Sequence, residues 1–142
     1  MILSKRPEVD RFLSQPDPAV RAVLIHGKDR GGGGERALVL CRKLVPDIDD
    51  PFDVTVLTEA DVDADPTRLE DALTAQSMTG GRRLVRLRLD GKASVDKAAA
   101  EAVKVHAEGG YNPTAALVIE AGALGRDSGL RKAAEAAKGA VS

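Results

Sequence analysis

Apolar residues in this chain follow two alternating patterns. Short uninterrupted runs, at 22–25 and again at 115–119, are typical of strands that are covered on both faces of a parallel sheet. Between such runs, apolar residues recur at helical spacing, as in segment 35–45, where Cys41 lies on the apolar stripe. Strands that alternate with helices of this length favour crossover connections, so the pattern predicts a three-layer α/β/α sandwich with a mainly parallel sheet.

Turn and cap residues set the limits of the predicted elements. Asp65 and Pro66 suit the cap and first turn of a helix, and Gly80 with Gly81 ends it. Ser128 is expected to cap the last helix, which runs to about residue 138, and residues 139–142 are interpreted as a strand that is cut short. In chain order the pattern predicts a helix from Pro7, a strand at 22–25, a helix at 35–45, a strand at 52–57, the helix from Asp65, a strand at 84–89, a helix at 95–107, a strand at 115–119 and the final helix.

The composition is that of one domain with an aliphatic core. At 142 residues the chain fits a single domain, 1–142, in which apolar residues make up 43% and aromatic residues only 2%. The net charge of −1 gives no overall electrostatic footprint for nucleic acid or an acidic membrane, so any such contact must come from a local patch. The single cysteine excludes an internal disulfide, and no apolar run approaches the roughly 18 residues that span a bilayer. We therefore expect a cytoplasmic protein with no membrane contact.

A glycine-rich segment at 27–34 lies between the first strand and the next helix, where a phosphate loop would lie. A phosphate loop needs backbone amides around the phosphates, a lysine that reaches the terminal phosphates, and a Ser or Thr hydroxyl for magnesium. Here Gly33 and Gly34 occupy the positions of that lysine and hydroxyl, and Lys28 lies too early in the segment. We interpret it as a flexible turn, a degenerate phosphate loop that binds no nucleotide, with its glycines at Gly27, Gly31, Gly32, Gly33 and Gly34.

No other group of residues in the sequence indicates a catalytic or metal site. His26, His106 and Cys41 are not at metal-ligand spacing, so we expect no metal and no cofactor. Cys41 is expected to be a small buried apolar residue rather than a nucleophile, and His106 to be packed or half-exposed. Glu120 ends a strand, where it could polarise water beside a nucleotide, but without the lysine it is interpreted as a surface carboxylate.

Five segments of the chain, taken in their order and separation, resemble one protein family. They are FL at 12–13, VLIHG at 23–27, SMTGGRRLV at 77–85, LVIE at 117–120 and LRK at 130–132. Together they resemble the bacterial DNA polymerase III delta subunit, a clamp-loader protein of AAA+ architecture whose own phosphate loop is degenerate. The resemblance spans nearly the whole chain and implies a P-loop NTPase (AAA+)-like fold. It also implies a protein that binds and opens the sliding clamp, the beta subunit, for loading onto primed DNA during replication, without hydrolysing ATP itself.

The resemblance further implies where the clamp is bound. In that family the gripping element is a helix with an apolar pair near its end, just before the third strand, and by position the pair falls on Met78 and Thr79. Methionine adapts well to an apolar pocket, although its burial supplies only roughly 1.5 to 3 kcal/mol. At the position of Thr79, the family commonly has a large aromatic residue. Either the clamp pocket therefore suits a smaller residue, or most of the binding energy comes from Leu73, Gln76 and the turn at Gly80. Packing of Met78 back onto the core is the competing interpretation.

Arginines punctuate the third predicted strand and its start. Strand alternation puts Arg86 and Arg88 on one face, and a strand buried on both faces does not tolerate them unpaired. They predict a strand near the sheet edge, or partners among Asp90 and neighbouring helix carboxylates. In an assembled loader that encircles DNA, Arg82 and Arg83 are candidate contacts for primer–template phosphates. The structural interpretation is preferred because the charge run is short.

Two other interpretations remain open. A nucleotide-binding or phosphoryl-transfer enzyme on the same fold is opposed by the lack of Lys-Ser/Thr after the glycines. A receiver-like scaffold would need an acidic cluster at a strand end, where only Asp90 qualifies. If the family is right, the chain lacks the lid and collar domains that meet the other clamp-loader subunits. We then expect a monomer that binds the clamp and has no activity of its own, since nucleotidyltransferase activity belongs to the DNA polymerase III holoenzyme.

Overall fold

Parallel strands form one sheet in the residues that a computed structural model describes, namely 6–16, 20–26, 30–45, 47–50, 52–77, 82–89, 93–112, 114–122, 124, 128–136 and 140–141. The strands are β1 (Ala22–Ile25), β2 (Val54–Thr58), β3 (Leu84–Arg88), β4 (Ala116–Glu120) and β5 (Ala140–Val141), in the spatial order β2-β3-β4-β1-β5. The helices are α1 (Arg6–Ser14), α2 (Arg30–Leu44), α3 (Glu59–Ala64), α4 (Thr67–Thr74), α5 (Ala93–Ala107) and α6 (Gly129–Ala136). Every strand pair is parallel, and the strand expected within 139–142 pairs with β1 as β5. The predicted α/β class with a parallel sheet is confirmed.

Helices cover both faces of the sheet because successive side chains of each strand point to opposite sides. On one face, Leu24, Leu87 and Ile119 pack against α3, α4, α5 and α6. On the other face, Val23 and Val118 pack against α1 and α2. Both cores are mainly aliphatic, as the low aromatic content requires. In the part of the chain that the structure describes, no helix is both long enough and apolar enough to cross a membrane.

Cap residues account for where α3 and α6 begin. Ser128 was predicted to cap the last helix, and Arg131 N does donate to Ser128 Oγ at 3.2 Å. Helix α3 was not indicated by the apolar pattern. It begins with a capping box in which Asp61 N donates to Thr58 Oγ1 (3.3 Å) and Thr58 N donates to Asp61 Oδ2 (2.9 Å). These bonds lower the pKa of Asp61, so the carboxylate form needed for the box is favoured.

Helix α2 begins earlier than the sequence predicts. The glycines from Gly31 to Gly34 were expected in a loop, but they form its first turn, so that expectation was wrong. Glycine costs up to about 1 kcal/mol per residue relative to alanine in a helix, so local preference does not explain the extension. Ala37, Leu40 and Cys41 are fully buried and fix the helix against the sheet. Each further residue then adds a backbone hydrogen bond to a helix that is already nucleated.

An ion pair between Arg86 and Glu120 lies inside the sheet. Strand β3 lies between β4 and β2, the strand at one end of the sheet, so it is near the sheet edge, as predicted, without being the edge strand. Arg86 Nη2 donates to Glu120 Oε1 at 2.9 Å, and Arg88 Nε donates to Glu120 Oε2 at 3.3 Å. Arg88 and Glu120 are register partners, which places all three side chains on one face. The partner is therefore a carboxylate on the neighbouring strand, while the predicted partner Asp90 lies outside the described residues.

We predict that Glu120→Gln lowers the free energy of unfolding by about 3 kcal/mol, because it leaves the Arg86 charge, whose side chain is only 10% exposed, without a counter-charge. The double variant Arg86→Met/Glu120→Gln should recover most of this loss, since it removes the buried charge as well. Arg88→Ala should cost under about 1 kcal/mol, because that side chain is 59% exposed. Urea unfolding of the four proteins checks this. A double variant no more stable than Glu120→Gln would contradict it.

Candidate functional site

The carboxyl edge of the sheet has the topology of a ligand site. Helix α2 leaves β1 on one face of the sheet and α6 follows β4 on the other, so the β1–β4 boundary is a switch point, where open α/β sheets bind ligands. His26 follows β1 there and Glu120 ends β4. Burial and the nearby Arg131 lower the pKa of His26, against the opposing effect of Glu135, so His26 is neutral at neutral pH.

Glu120, at this edge, is paired within the protein. Both oxygens of Glu120 are bonded to arginines, and Gly27 of the expected phosphate loop lies outside the described residues. Burial raises the pKa of the Cys41 thiol to about 11, so it stays protonated and is a poor nucleophile, as its place on the apolar stripe predicts. Among the described residues there is no group of three or more side chains suited to hold a metal ion.

The opposite, amino edge of the sheet holds the connection from α4 to β3, which contains the predicted clamp-binding residues. Leu73 is fully buried and belongs to the core beneath α4, so it is not a surface contact. Gln76 is exposed. Met78, Thr79 and Gly80 lie outside the described residues. The structure therefore describes both ends of the predicted site, at 75–77 and 82–83.

Asn112 fixes the first end of this connection. It is 8% exposed, its backbone N donates to Leu73 O, and its Nδ2 donates to Ala75 O, both at 3.0 Å. Its Oδ1 accepts from Thr114 N at 3.1 Å and from Thr114 Oγ1 at 2.9 Å. The last carbonyls of α4 are thus bonded to the segment that leads into β4. Sequence analysis treated 109–113 only as a turn and missed this role, for which an asparagine before a proline was the available signal.

Arg82 and Arg83 fix the other end. Arg82 Nε donates to Thr114 O at 3.0 Å. Arg83 is 8% exposed, and its guanidinium donates to Phe52 O and, at 2.9 Å, to Thr55 Oγ1. Arg83 therefore joins the start of β3 to the start of β2 and does not face solvent as a DNA contact would. Arg82, which is half-buried, is the candidate phosphate contact that stays near the surface.

A buried histidine supports the same edge. His106 is 0% exposed, its Nε2 lies 2.7 Å from Ala115 O, and its ring stacks on Tyr111 with centroids 6.1 Å apart. A carbonyl oxygen only accepts, so Nε2 carries the proton, and Nδ1 has no hydrogen-bond partner in the structure. Burial, with smaller effects from Arg21 and Arg82, lowers the pKa of His106, while the bond to Ala115 opposes this. His106 is thus neutral and fully buried, in contact with Tyr111 and Ala115 on either side of Asn112 in the chain.

No protein-family model matches the chain, and a search of curated proteins finds no matching relative.

We predict that Asn112→Ala lowers the free energy of unfolding by about 1–3 kcal/mol, because it leaves Ala75 O and the Thr114 donors without their partner. Asn112→Asp keeps the acceptor for Thr114 but loses the donor to Ala75, so it should also destabilise the fold. Gln76→Ala, on the same connection but exposed, should change stability by less than about 0.5 kcal/mol. Denaturant unfolding measures all three. Equal midpoints for Asn112→Ala and the wild type would contradict the anchoring role.

We predict that the protein loses stability as the pH falls below about 6.5, the usual pKa of histidine. The folded pKa of His106 is depressed, so the unfolded chain binds the proton more readily. Its contribution is complete above the unfolded pKa and is lost as pH falls through the folded pKa. His26 acts with the same sign. Urea midpoints between pH 7.5 and 5.5 should therefore fall less steeply in His106→Gln and in His26→Gln than in the wild type; an unchanged slope in His106→Gln would contradict the assignment.

Proposed function

We propose that this chain is the AAA+-like, clamp-binding domain of a DNA polymerase III delta subunit. It binds the sliding clamp through the connection between α4 and β3 and does not hydrolyse ATP. The resemblance of five segments over nearly the whole chain motivates the proposal. A parallel sheet with helices on both faces is the architecture that the resemblance requires.

The observation that carries the proposal is that the α4–β3 connection is fixed at both ends. Asn112 holds its start at Leu73 and Ala75, and Arg83 holds its end. A segment whose ends are already ordered loses less conformational entropy when it binds a partner. A connection held in this way favours protein recognition at the amino edge of the sheet.

The residues of the predicted site take different roles in this proposal. Met78 supplies the adaptable apolar contact with the clamp, and Thr79 and Gly80 adjoin it. Exposed Gln76 is a polar contact at the margin, while buried Leu73 positions α4 and touches the core rather than the clamp. In a complete loader, Arg82 is the arginine of this connection that can contact DNA phosphates, because Arg83 is buried. The other clamp-loader subunits hydrolyse ATP.

The alternative is a nucleotide-binding or phosphoryl-transfer enzyme that uses the carboxyl edge. Its supporting observation is the switch point between β1 and β4. Against it, Gly33 and Gly34 stand where a lysine and a hydroxyl are needed. Arg86 and Arg88 on β3 already bind Glu120. A triphosphate would therefore have to displace Glu120 to bind these two arginines.

We predict that the sliding clamp of the same organism, immobilised on a sensor, retains the purified chain, and that Met78→Ala weakens binding roughly ten- to hundredfold through lost apolar burial. Val39→Ala, which shortens an exposed apolar side chain on α2, is the matched control and should bind as the wild type does. Calorimetry with Mg-ATP on the same protein should give no heat of binding. A clamp that does not bind the chain, together with micromolar ATP binding that Gly33 and Gly34 substitutions remove, would establish the alternative.

A further inference from the structure

Phe52 is an aromatic side chain on the surface at the amino edge of the sheet. It is 67% exposed, whereas the other aromatic residues that the structure describes, Phe12 and Tyr111, are partly buried and pack against the cores. A single exposed apolar residue is common on protein surfaces and is not informative by itself. What distinguishes Phe52 is how its backbone is held and which segment it adjoins.

The turn that carries Phe52 is fixed by hydrogen bonds on both of its sides. Phe52 N donates to Asp50 Oδ1 at 2.8 Å, and Val54 N donates to Asp50 O at 3.0 Å. On the other side, the carbonyl of Phe52 accepts from the guanidinium of Arg83, and Asp53 O accepts from Leu84 N at 2.8 Å. Both backbone groups of Phe52 are therefore bonded, and the ring projects from a rigid turn.

The fixed turn lies directly beside the α4–β3 connection. Arg83 is the residue that enters β3 from that connection, and its buried guanidinium bonds to the carbonyl of Phe52. This bond places the turn of Phe52 next to the end of the connection. The two features form one continuous part of the amino edge.

We propose that Phe52 is a further contact residue for the sliding clamp, with its ring inserted into an apolar pocket or groove on that protein. This inference rests on the proposed function. Aromatic side chains are enriched among the residues that contribute most to protein–protein affinity. A phenylalanine has two side-chain torsions, and the backbone of Phe52 is already fixed, so ordering it on binding costs little entropy. Phe52 supplies exposed apolar area at an edge where Gln76 and Arg82, of the described residues of the connection, are polar.

The test compares binding to the immobilised clamp for the wild type, Phe52→Ala, Phe52→Leu and Val39→Ala. Phe52→Ala should weaken binding at least about tenfold, as truncation of a central aromatic contact does, and Phe52→Leu should weaken it less because leucine keeps part of the apolar area. Val39→Ala removes apolar area from an exposed position on α2 and should have no effect. Urea midpoints equal to that of the wild type confirm that the exposed substitutions leave the fold intact.

A second measurement uses the unaltered chain. Hydroxyl-radical labelling of Phe52 should fall several-fold when the clamp is bound, because a covered ring is protected from solvent. If the wild type binds but Phe52→Ala binds equally well, or the labelling is unchanged, the inference about Phe52 is overturned and the proposed function stands. If the wild type does not bind, the proposed function fails and this inference fails with it.

Discussion

Two buried arginines, Arg83 just before β3 and Arg86 within it, bind groups at the two edges of this sheet. Arg83 and Arg86 are each at most 9% exposed, and a buried guanidinium is costly unless its donors are bonded. Arg86 meets this requirement in part, because its Nη2 donates to Glu120 near the carboxyl edge while its Nε has no partner in the structure. Arg83 likewise binds the turn at Phe52 and the side chain of Thr55 at the amino edge through its terminal nitrogens, and its Nε has no partner. The guanidinium of Arg86 is thus paired with a carboxylate at one edge, and that of Arg83 joins two segments at the other.

The difference between the edges bears on what each can recognise. At the carboxyl edge, a small anionic ligand would have to compete with Glu120 for Arg86 and Arg88. At the amino edge, the carbonyls of Leu73 and Ala75 at the end of α4 are already bonded to Asn112. Backbone groups that are satisfied within the protein need no new partner when another protein covers them.

Sequence patterns predicted the strands well because their signal is local. The apolar runs at β1 and β4 are typical of strands buried on both faces, and both form as predicted. The position of β3 between β2 and β4 could not be predicted, because strand order depends on contacts distant in sequence, such as that between Arg86 and Glu120. The local preference of glycine opposes a helix at residues 31–34, but α2 includes these residues because its later residues pack against the sheet. For the site, helical spacing placed Leu73 on the apolar stripe of α4, but its use as a clamp contact overlooked its burial in the core. The asparagine before a proline marked a turn, but its bonds to two segments depend on contacts distant in sequence.

Interaction with a large partner places different demands on a fold than binding of a small ligand does. A small ligand needs a concave site with converging polar groups. A protein partner instead needs an apolar contact that is held in a defined place, on a surface that loses few hydrogen bonds when it is buried. The amino edge meets the second set of demands, since Phe52 is exposed on a turn whose backbone groups are bonded to Asp50 and Arg83. Buried His106 and Asn112, which are packed within the fold, also hold this edge in place through their hydrogen bonds. If this edge binds the clamp as proposed, folding and recognition depend on one set of hydrogen bonds, and a substitution that loosens the anchor should weaken both.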